Sequence, residues 1–361
     1  MTTQFSDSLE IQAIDLFCGA GGLSCGLQQA GIQIAAGLDF DIKCEFPFSH
    51  NIGGNFLARD LADTSSSELG ELFKDPQYTL IAGCAPCQPF STLNNGSDRK
   101  KSNKWPLLRH FSRVVTDLRP TFVTMENVPI LKREEIFAEF VDNLQSLGYH
   151  LIHRVIDASL YGVPQRRKRL VLLASMLGPI RIVSPEELGV RPSTVRDAIS
   201  HLPPLKAGEV SESDPLHKAR SITPINLERM KHSKPGGTWE DWPDELMLAC
   251  HRKSQGSTFK SVYGRMEWDK PSGTMTTQSY NFGTGRYGHP EQDRSITLRE
   301  MAILQSFPYD YQFVAPGTSP DFASTGRLIG NAVPVRLGYV IGKSIQNHIH
   351  SYRGKKNDQQ I

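Results

Sequence analysis

The sequence predicts an α/β fold with a mostly parallel sheet and helices on both faces, joined to a smaller irregular domain. In the first half of the chain, short apolar runs alternate with segments of helical spacing. This order is typical of parallel strands linked by crossover helices. After about Ser175 the chain becomes rich in Pro, Gly, Ser and His, with few long apolar runs, which indicates loops. The first pattern predicts a Rossmann-like domain, and the second predicts an irregular α+β appendage.

Each element follows from its local pattern. An apolar run at 11–16 ends at a Gly-rich turn, Gly31 closes the helix that follows, and a second apolar run ends at Asp39. The predicted strands are 11–16, 32–38, a short one before Asp60, 78–82, 121–125, 150–156 and 170–174. The predicted helices are 23–30, 107–118, 134–147, 298–305 and 335–348, and the tail 351–361 is expected to fray.

Composition excludes several classes of protein. The chain has 361 residues, 39% of them apolar, which is enough for one large domain and a smaller one. Lys plus Arg is 40 and Asp plus Glu is 38, so the net charge of +2 excludes a histone-like polycation but still permits a local basic groove. No apolar run approaches the roughly 20 residues that span a bilayer. The polar N-terminus lacks a signal peptide, and we expect a soluble, cytoplasmic protein.

A Gly-rich loop and an acidic strand end predict a nucleoside site. Residues 15–22, DLFCGAGG, follow the first strand, and glycines at such a turn let a ligand approach the backbone. Asp39 ends the next strand, 22 residues after Phe17, where a carboxylate can bind ribose hydroxyls. The loop is not G-x-G-x-x-G, and no basic residue lies near it to meet a pyrophosphate. A nucleoside without phosphates therefore fits better than NAD.

Asp60 follows the third short strand and has two interpretations. It could accept a hydrogen bond from an adenine amino group, or it could cap the helix that begins near Ser65. The spacing does not choose between them.

The segment GCAPCQPFS follows the strand 78–82 and predicts a nucleophile. Cys84 and Cys87 form a C-x-x-C, but the chain offers no second ligand pair with the spacing of a structural zinc site. Pro89 and the polar loop after it argue against a redox motif, which normally opens a helix. The remaining interpretation is a thiolate at Cys87 presented on a turn stiffened by Pro86. A buried small hydrophobe suits Cys84 better than Cys87. Six cysteines are too few for a disulfide scaffold.

An acid and a basic run complete the predicted site. Glu126 closes an apolar strand, which is unusual unless the residue binds or catalyses. In QRRKR at 165–169, alternation puts Gln165, Arg167 and Arg169 on one face. A solvated basic turn is the alternative interpretation, but a cationic face next to a thiol and a carboxylate favours function.

These motifs together resemble the DNA (cytosine-5) methyltransferases. DLFCGAGG, PCQ at 86–88, ENV at 126–128, QRRKR, the segment 299–308 and GNAVP at 330–334 occur in the order typical of that family. They span nearly the whole chain except about 176–290. The resemblance implies methyl transfer from S-adenosyl-L-methionine to C5 of cytosine in a specific double-stranded DNA sequence. The thiol would add at C6 of a flipped-out base.

The resemblance also implies residue roles. Cys87 would be the nucleophile, Glu126 the base-binding acid, and Arg167 and Arg169 the anion-side partners. The cofactor pocket would be lined by residues from several motifs: Phe17, Gly19, Gly21, Asp39, Asp60, Pro86 and Asn331. No metal is implied. Whether Arg99 or Lys104 takes the place of an arginine usual in the family after PCQ stays open.

The same resemblance implies a domain layout. Residues 1–178 would form the catalytic and cofactor-binding domain and 179–293 the target-recognition domain, with 294–350 returning to the catalytic domain. Candidate DNA contacts in the insert are Arg252, Lys253, Gln255, Arg265, Thr276, Thr277, Gln278 and Arg286. The size of this insert favours duplex DNA over the alternative, a tRNA cytosine-5 methyltransferase of the same fold. No membrane and no stable protein partner is implied, so a monomer is expected.

Overall fold

The computed structural model describes residues 9–86, 106–253 and 258–358. Seven strands form one sheet in the order β3-β2-β1-β4-β5-β7-β6. The strands are β1 (Ile11–Leu16), β2 (Gln33–Asp39), β3 (Asn55–Ala58), β4 (Tyr78–Gly83), β5 (Phe122–Asn127), β6 (His150–Asp157) and β7 (Lys168–Ser175). The predicted mostly parallel α/β sheet is therefore confirmed, with strand bounds within two residues of those predicted.

The sheet gathers strand ends at one edge. β1 pairs in parallel with β2 and β4, β2 with β3, and β4 with β5, so their carboxyl ends lie together. β7 pairs antiparallel with β5, with Asn127 opposite Leu170. Because β7 runs the other way, its first residues meet the carboxyl end of β5. An edge of this kind is where open α/β sheets bind ligands.

Helices cover the strands and complete the chain. They are α1 (Gly22–Gln29), α2 (Glu45–Ile52), α3 (Ser66–Gly70), α4 (Pro106–Leu118), α5 (Glu135–Ser146), α6 (Val195–Ile199), α7 (Pro224–His232), α8 (Leu298–Leu304), α9 (Phe322–Asn331) and α10 (Val335–Asp358). In the sheet region, fully buried residues such as Ile14, Phe111, Val123 and Leu172 share one hydrophobic core. α10 is longer than predicted, because helix continues to Asp358 where a frayed tail was expected.

The chain forms two compact units. The first contains residues 1–157, 168–189 and 335–361, and the second contains 158–167 and 190–334. The second unit differs from the predicted insert of 179–293, since it also includes 294–334. A buried ion pair explains this: Arg299 on α8 donates to both carboxylate oxygens of Asp214, at 2.6 and 3.1 Å, and so ties 294–334 to the rest of the second unit.

Within the first unit, α10 packs closely on α1. A Cβ on Gly26 would lie 2.1 Å from the carbonyl oxygen of Val335, and one on Gly338 would lie 2.6 Å from that of Leu23. Both positions therefore require glycine. In the part of the chain that is described, no helix is both long enough and apolar enough to cross a membrane.

Candidate active site

A buried carboxylate is the centre of the site at the carboxyl edge of the sheet. The side chain of Glu126 is 3% exposed. Its Oε2 accepts a hydrogen bond from the thiol of Cys84 at 3.0 Å. Nε of Arg169 lies 3.0 Å from its Oε1, and no described residue donates a well-aligned hydrogen bond to that oxygen. Two groups thus hold the carboxylate, while Oε1 keeps acceptor capacity for a ligand.

Strand register brings these residues together. Gly83 on β4 pairs with Met125 on β5, so the next residues, Cys84 and Glu126, are neighbours across the pair. The backbone N–H of Cys84 donates to the carbonyl of Leu16 at 3.3 Å. The buried Asn127 donates from Nδ2 to the carbonyl of Ala85 at 2.9 Å. The start of the PCQ segment is therefore tied to strands on both sides.

The Gly-rich loop is joined to Asp39. Phe17, Gly19 and Gly21 all have positive φ, and Gly21 is the N-cap residue just before α1. Oδ2 of Asp39 accepts from the N–H of Gly19 at 2.9 Å, and Oδ1 accepts from the N–H of Asp41 at 3.0 Å. A Cβ on Gly19 would meet nothing within 4 Å, so the space above this turn is open. The predicted pair of glycine loop and acidic strand end is thus brought together.

Sequence reasoning missed Phe40, the residue after Asp39. It is 69% exposed although it is aromatic, so its ring is accessible to a ligand that binds beside Asp39. Its position after an acidic strand end was the available signal.

Asp15, at the start of DLFCGAGG, is buried under the loop. Burial raises the pKa of its carboxyl to about 7, although Ser24 opposes this by donating a hydrogen bond at 2.6 Å. Oδ1 of Asp15 has no hydrogen-bond partner among the described residues. Burial therefore favours the protonated, uncharged form of this carboxyl.

Asp60 does not cap a helix. α3 is capped by Ser65, whose hydroxyl accepts from the N–H of Glu68. Oδ1 of the exposed Asp60 instead accepts from the N–H of Ala62 at 2.9 Å. The capping interpretation is therefore wrong, and adenine recognition by Asp60 stays a prediction.

Arg167 and Arg169 lie in different settings. Arg169 is the partner of Glu126, as above, whereas Arg167 belongs to the second unit and is 4% exposed. Its guanidinium donates to the carbonyls of Met275, Gly330 and Ala332 at 2.8 to 3.3 Å. The predicted contact of Arg167 with a base is not supported by this environment, because these donors hold backbone on either side of Asn331.

Asn331 itself ends α9 with an exposed side chain. Gly330, just before it, has no room for a Cβ, which would lie 2.4 Å from the backbone of Thr276. Its role toward a cofactor stays a prediction.

The second unit has a groove of about 390 Å³. Its lining includes cations and hydroxyls, among them Arg166, Lys270, Arg286, Thr274, Thr276 and Thr284. It also includes the acid Glu267, which pairs with Lys270 at 2.7 Å. Two of these, Thr276 and Arg286, are predicted DNA contacts. The prediction that Arg265 contacts DNA is wrong. This residue is 5% exposed, and its guanidinium donates to the carbonyls of Met230 and His289.

Several predicted residues lie outside the described residues: Cys87, Arg99, Lys104 and Gln255. Pro86 is the last described residue before Cys87, and it is half-buried. Across the ranges that are described, no group of three or more His, Cys, Asp or Glu is placed to hold a metal.

Comparison with known proteins gives consistent matches. Residues 11–347 match the family described as C-5 cytosine-specific DNA methylase. The chain is 46% identical to the type II methylase M.HgiDII of Herpetosiphon aurantiacus, covering 93% of this chain and 95% of that protein. It is 32% identical to the type II methyltransferase M1.HphI of Haemophilus parahaemolyticus, covering 93% and 87%. A solved structure from E. coli, described as a prophage-encoded DNA modification methyltransferase, has a TM-score of 0.71 at 23% identity over 94% of this chain and 99% of that one. That last likeness concerns the fold.

Proposed function

The chain belongs to the C-5 cytosine-specific DNA methylases, and from this premise we propose how its residues carry out the reaction. As a DNA (cytosine-5-)-methyltransferase it transfers a methyl group to C5 of cytosine in DNA. Members of this family use S-adenosylmethionine as the methyl donor.

The Gly-rich loop and Asp39 fit the nucleoside part of S-adenosylmethionine. Both oxygens of Asp39 accept backbone N–H groups, which fixes the carboxylate at a strand end where ribose hydroxyls can donate to it. The exposed ring of Phe40 offers an apolar face to adenine. Gly19 leaves open space above the loop, and no cationic phosphate clamp is needed. When bound, the cofactor supplies an electrophilic methyl group on a sulfonium.

Cytosine C5 is a poor nucleophile, and the protein has to activate it. A thiolate at Cys87 that adds to C6 breaks the aromaticity of the ring and makes C5 enamine-like. Negative charge then develops at N3 and O2. We assign Glu126, which is buried and paired with Arg169, to share a proton with N3, and Arg169 to stabilise the charge at O2. After the methyl group has been accepted, loss of the C5 proton and departure of the Cys87 thiolate restore the ring.

In this scheme Arg167 is a positioning residue, because its guanidinium is used by three backbone carbonyls of the second unit. Arg169 takes the base-side role alone. The target atoms are out of reach in a stacked duplex, so the cytosine must be flipped out.

The chain functions as a type II modification methylase that marks one short DNA sequence. Its similarity to two type II enzymes supports this. We assign sequence reading to the second unit, where the groove carries Arg166, Thr276 and Arg286. Arginines and hydroxyls are donors suited to base edges and phosphates.

The observation that carries the assignment of the site is Glu126: a fully buried carboxylate paired with Arg169 directly beside the start of PCQ. Cys87→Ala tests the mechanism. It should abolish transfer of tritium from labelled S-adenosylmethionine to duplex DNA, while calorimetric affinity for the cofactor stays within about twofold. Cys250→Ser is the control, since this thiol is exposed and lies in the second unit. An active Cys87→Ala enzyme, or labelling of tRNA in place of DNA, would contradict the proposal.

A further inference from the structure

We infer that Cys84 is a positioning residue for Glu126: its thiol orients the carboxylate that meets the cytosine ring. The inference rests on the function proposed above. It assigns a task to a residue that sequence reasoning took for a small hydrophobe.

The thiol lies where it can control the carboxylate. Its Sγ is 3.0 Å from Oε2 of Glu126, well inside the range of an S–H hydrogen bond. Cys84 is half-buried, and Glu126 is almost wholly buried. In such a place an S–H donor to a charged oxygen is stronger than in water, because little solvent competes for the acceptor.

A carboxylate held at one oxygen only can still turn about its last side-chain bond, since that torsion is broad. Arg169 contacts Oε1 and Cys84 contacts Oε2. Contacts on both oxygens fix the plane of the carboxylate, and therefore the direction of the lone pair that remains for N3 of the base.

The thiol is itself held in place. The N–H of Cys84 donates to the carbonyl of Leu16, and Asn127, next to Glu126 in β5, grips the carbonyl of Ala85. The donor and the acceptor thus stand on neighbouring strands, and little reorganisation is needed when the base arrives. Preorganisation of this kind is how enzymes stabilise charge that develops in the transition state.

The test compares Cys84→Ala with Cys84→Ser. The hydroxyl of serine can donate to the same oxygen, whereas alanine cannot. Single-turnover methylation at saturating DNA and S-adenosylmethionine should slow about tenfold in Cys84→Ala, the loss expected for one hydrogen bond to a charged group. Cys84→Ser should stay within about threefold of the wild-type rate. Cofactor affinity should be unchanged in both, and Cys250→Ser serves as the control for thiol loss.

A double-mutant cycle separates positioning from packing. If Cys84 acts through Glu126, then Cys84→Ala should slow the Glu126→Ala enzyme no further. The inference is overturned if Cys84→Ala keeps the full rate, if serine is no better than alanine, or if the two losses add. An inactive wild-type enzyme would instead refute the proposed function, so the two failures are distinguishable. Thermal unfolding of each variant shows whether it is folded. If Cys84→Ala does not fold, the rate of Cys84→Ser compared with that of wild type still shows whether a hydroxyl can replace the thiol.

Discussion

The side chain of Asp39, at the end of β2, binds the Gly-rich loop and is the proposed contact for the ribose of the cofactor. Its two oxygens accept N–H groups from Gly19 and Asp41, so the shape of the Gly-rich turn depends on a charged acceptor at this position. The same charge strengthens hydrogen bonds from ribose hydroxyls. The proposed cofactor site is therefore a surface that Asp39 both shapes and contributes to.

Asp39→Asn should weaken binding of S-adenosylmethionine by roughly 1–3 kcal/mol, because an amide group faces a backbone N–H and the charge-assisted bonds are lost. Titration calorimetry measures this directly. Asp63→Asn is a matched control, since Asp63 is exposed and lies after β3, the strand that pairs with β2. Equal affinities for wild type and Asp39→Asn would show that the ribose is bound elsewhere.

Sequence reasoning identified charged residues at positions where burying a charge costs free energy. An acid that closes an apolar strand, as Asp39 and Glu126 do, is visible as a broken pattern. Cys84 was missed because a thiol fits a buried apolar position as well as a polar one, and only strand register shows that Glu126 is its neighbour. Arg265 was wrong for the opposite reason: an arginine in a loop suggests solvent or DNA, but carbonyls inside the second unit bind it.

At the level of elements, the contact of α1 with α10 shows what local patterns leave out. Gly26 lies inside a helix that the periodicity predicts. Only glycine fits at this position because of the carbonyl oxygen of Val335, more than 300 residues later in the chain. Local sequence indicated both helices, but only tertiary packing sets the distance between their backbones.

Gly26→Ala should destabilise the first unit, because the added methyl group would lie within 2.1 Å of a carbonyl oxygen of α10. We expect a loss of about 1–3 kcal/mol, the usual result of overpacking, measured by urea unfolding with hydrogen exchange on α1 and α10. Gly354→Ala is the control in the same helix pair: nothing lies within 4 Å of its Cβ, and alanine there should be neutral or stabilising by up to about 1 kcal/mol. Equal stability of Gly26→Ala and wild type would contradict the close packing.

At the scale of the whole molecule, Asp15 in the first unit and His289 in the second have pKa shifts that change stability with pH in opposite directions. In the first unit, the raised pKa of Asp15, about 7, favours the protonated folded state, so its contribution to stability is lost as pH rises from about 4 to 7. In the second unit, burial lowers the pKa of His289 to about 4, against the opposing effect of Glu300. The unfolded state then binds the extra proton, and stability is lost as pH falls from 6.5 towards 4.

The second unit should therefore be about 2 kcal/mol less stable at pH 5 than at pH 7 on account of His289. Tryptophan fluorescence in urea can report this, because Trp239, Trp242 and Trp268 all lie in that unit. His289→Gln should reduce the pH dependence between pH 5 and 7, while His201→Gln, an exposed control, should leave it as in wild type. An unchanged slope in His289→Gln would show that other groups govern acid unfolding.

The division of the chain could be predicted only in outline. The change in composition near residue 175 marks the end of the sheet region, and α10 returns to it as expected. The motifs in 294–334 could not show which unit this segment belongs to, because a motif indicates the protein family and not the residues it packs against. The buried pair of Arg299 and Asp214 and the carbonyls held by Arg167 join that segment to the second unit.

The central claim is that Cys87 adds covalently to a cytosine presented from duplex DNA, and trapping tests it most directly. The target sequence is first found by bisulfite sequencing of DNA from cells that express the chain. A duplex with 5-fluorocytosine at that position is then incubated with enzyme and S-adenosylmethionine, and the products are mapped by mass spectrometry. A denaturation-resistant complex whose methylated base is attached to Cys87, and which forms only when the cofactor is present, is the predicted result, since fluorine cannot leave as the C5 proton does. Absence of a complex, or attachment through Cys84, would contradict the account.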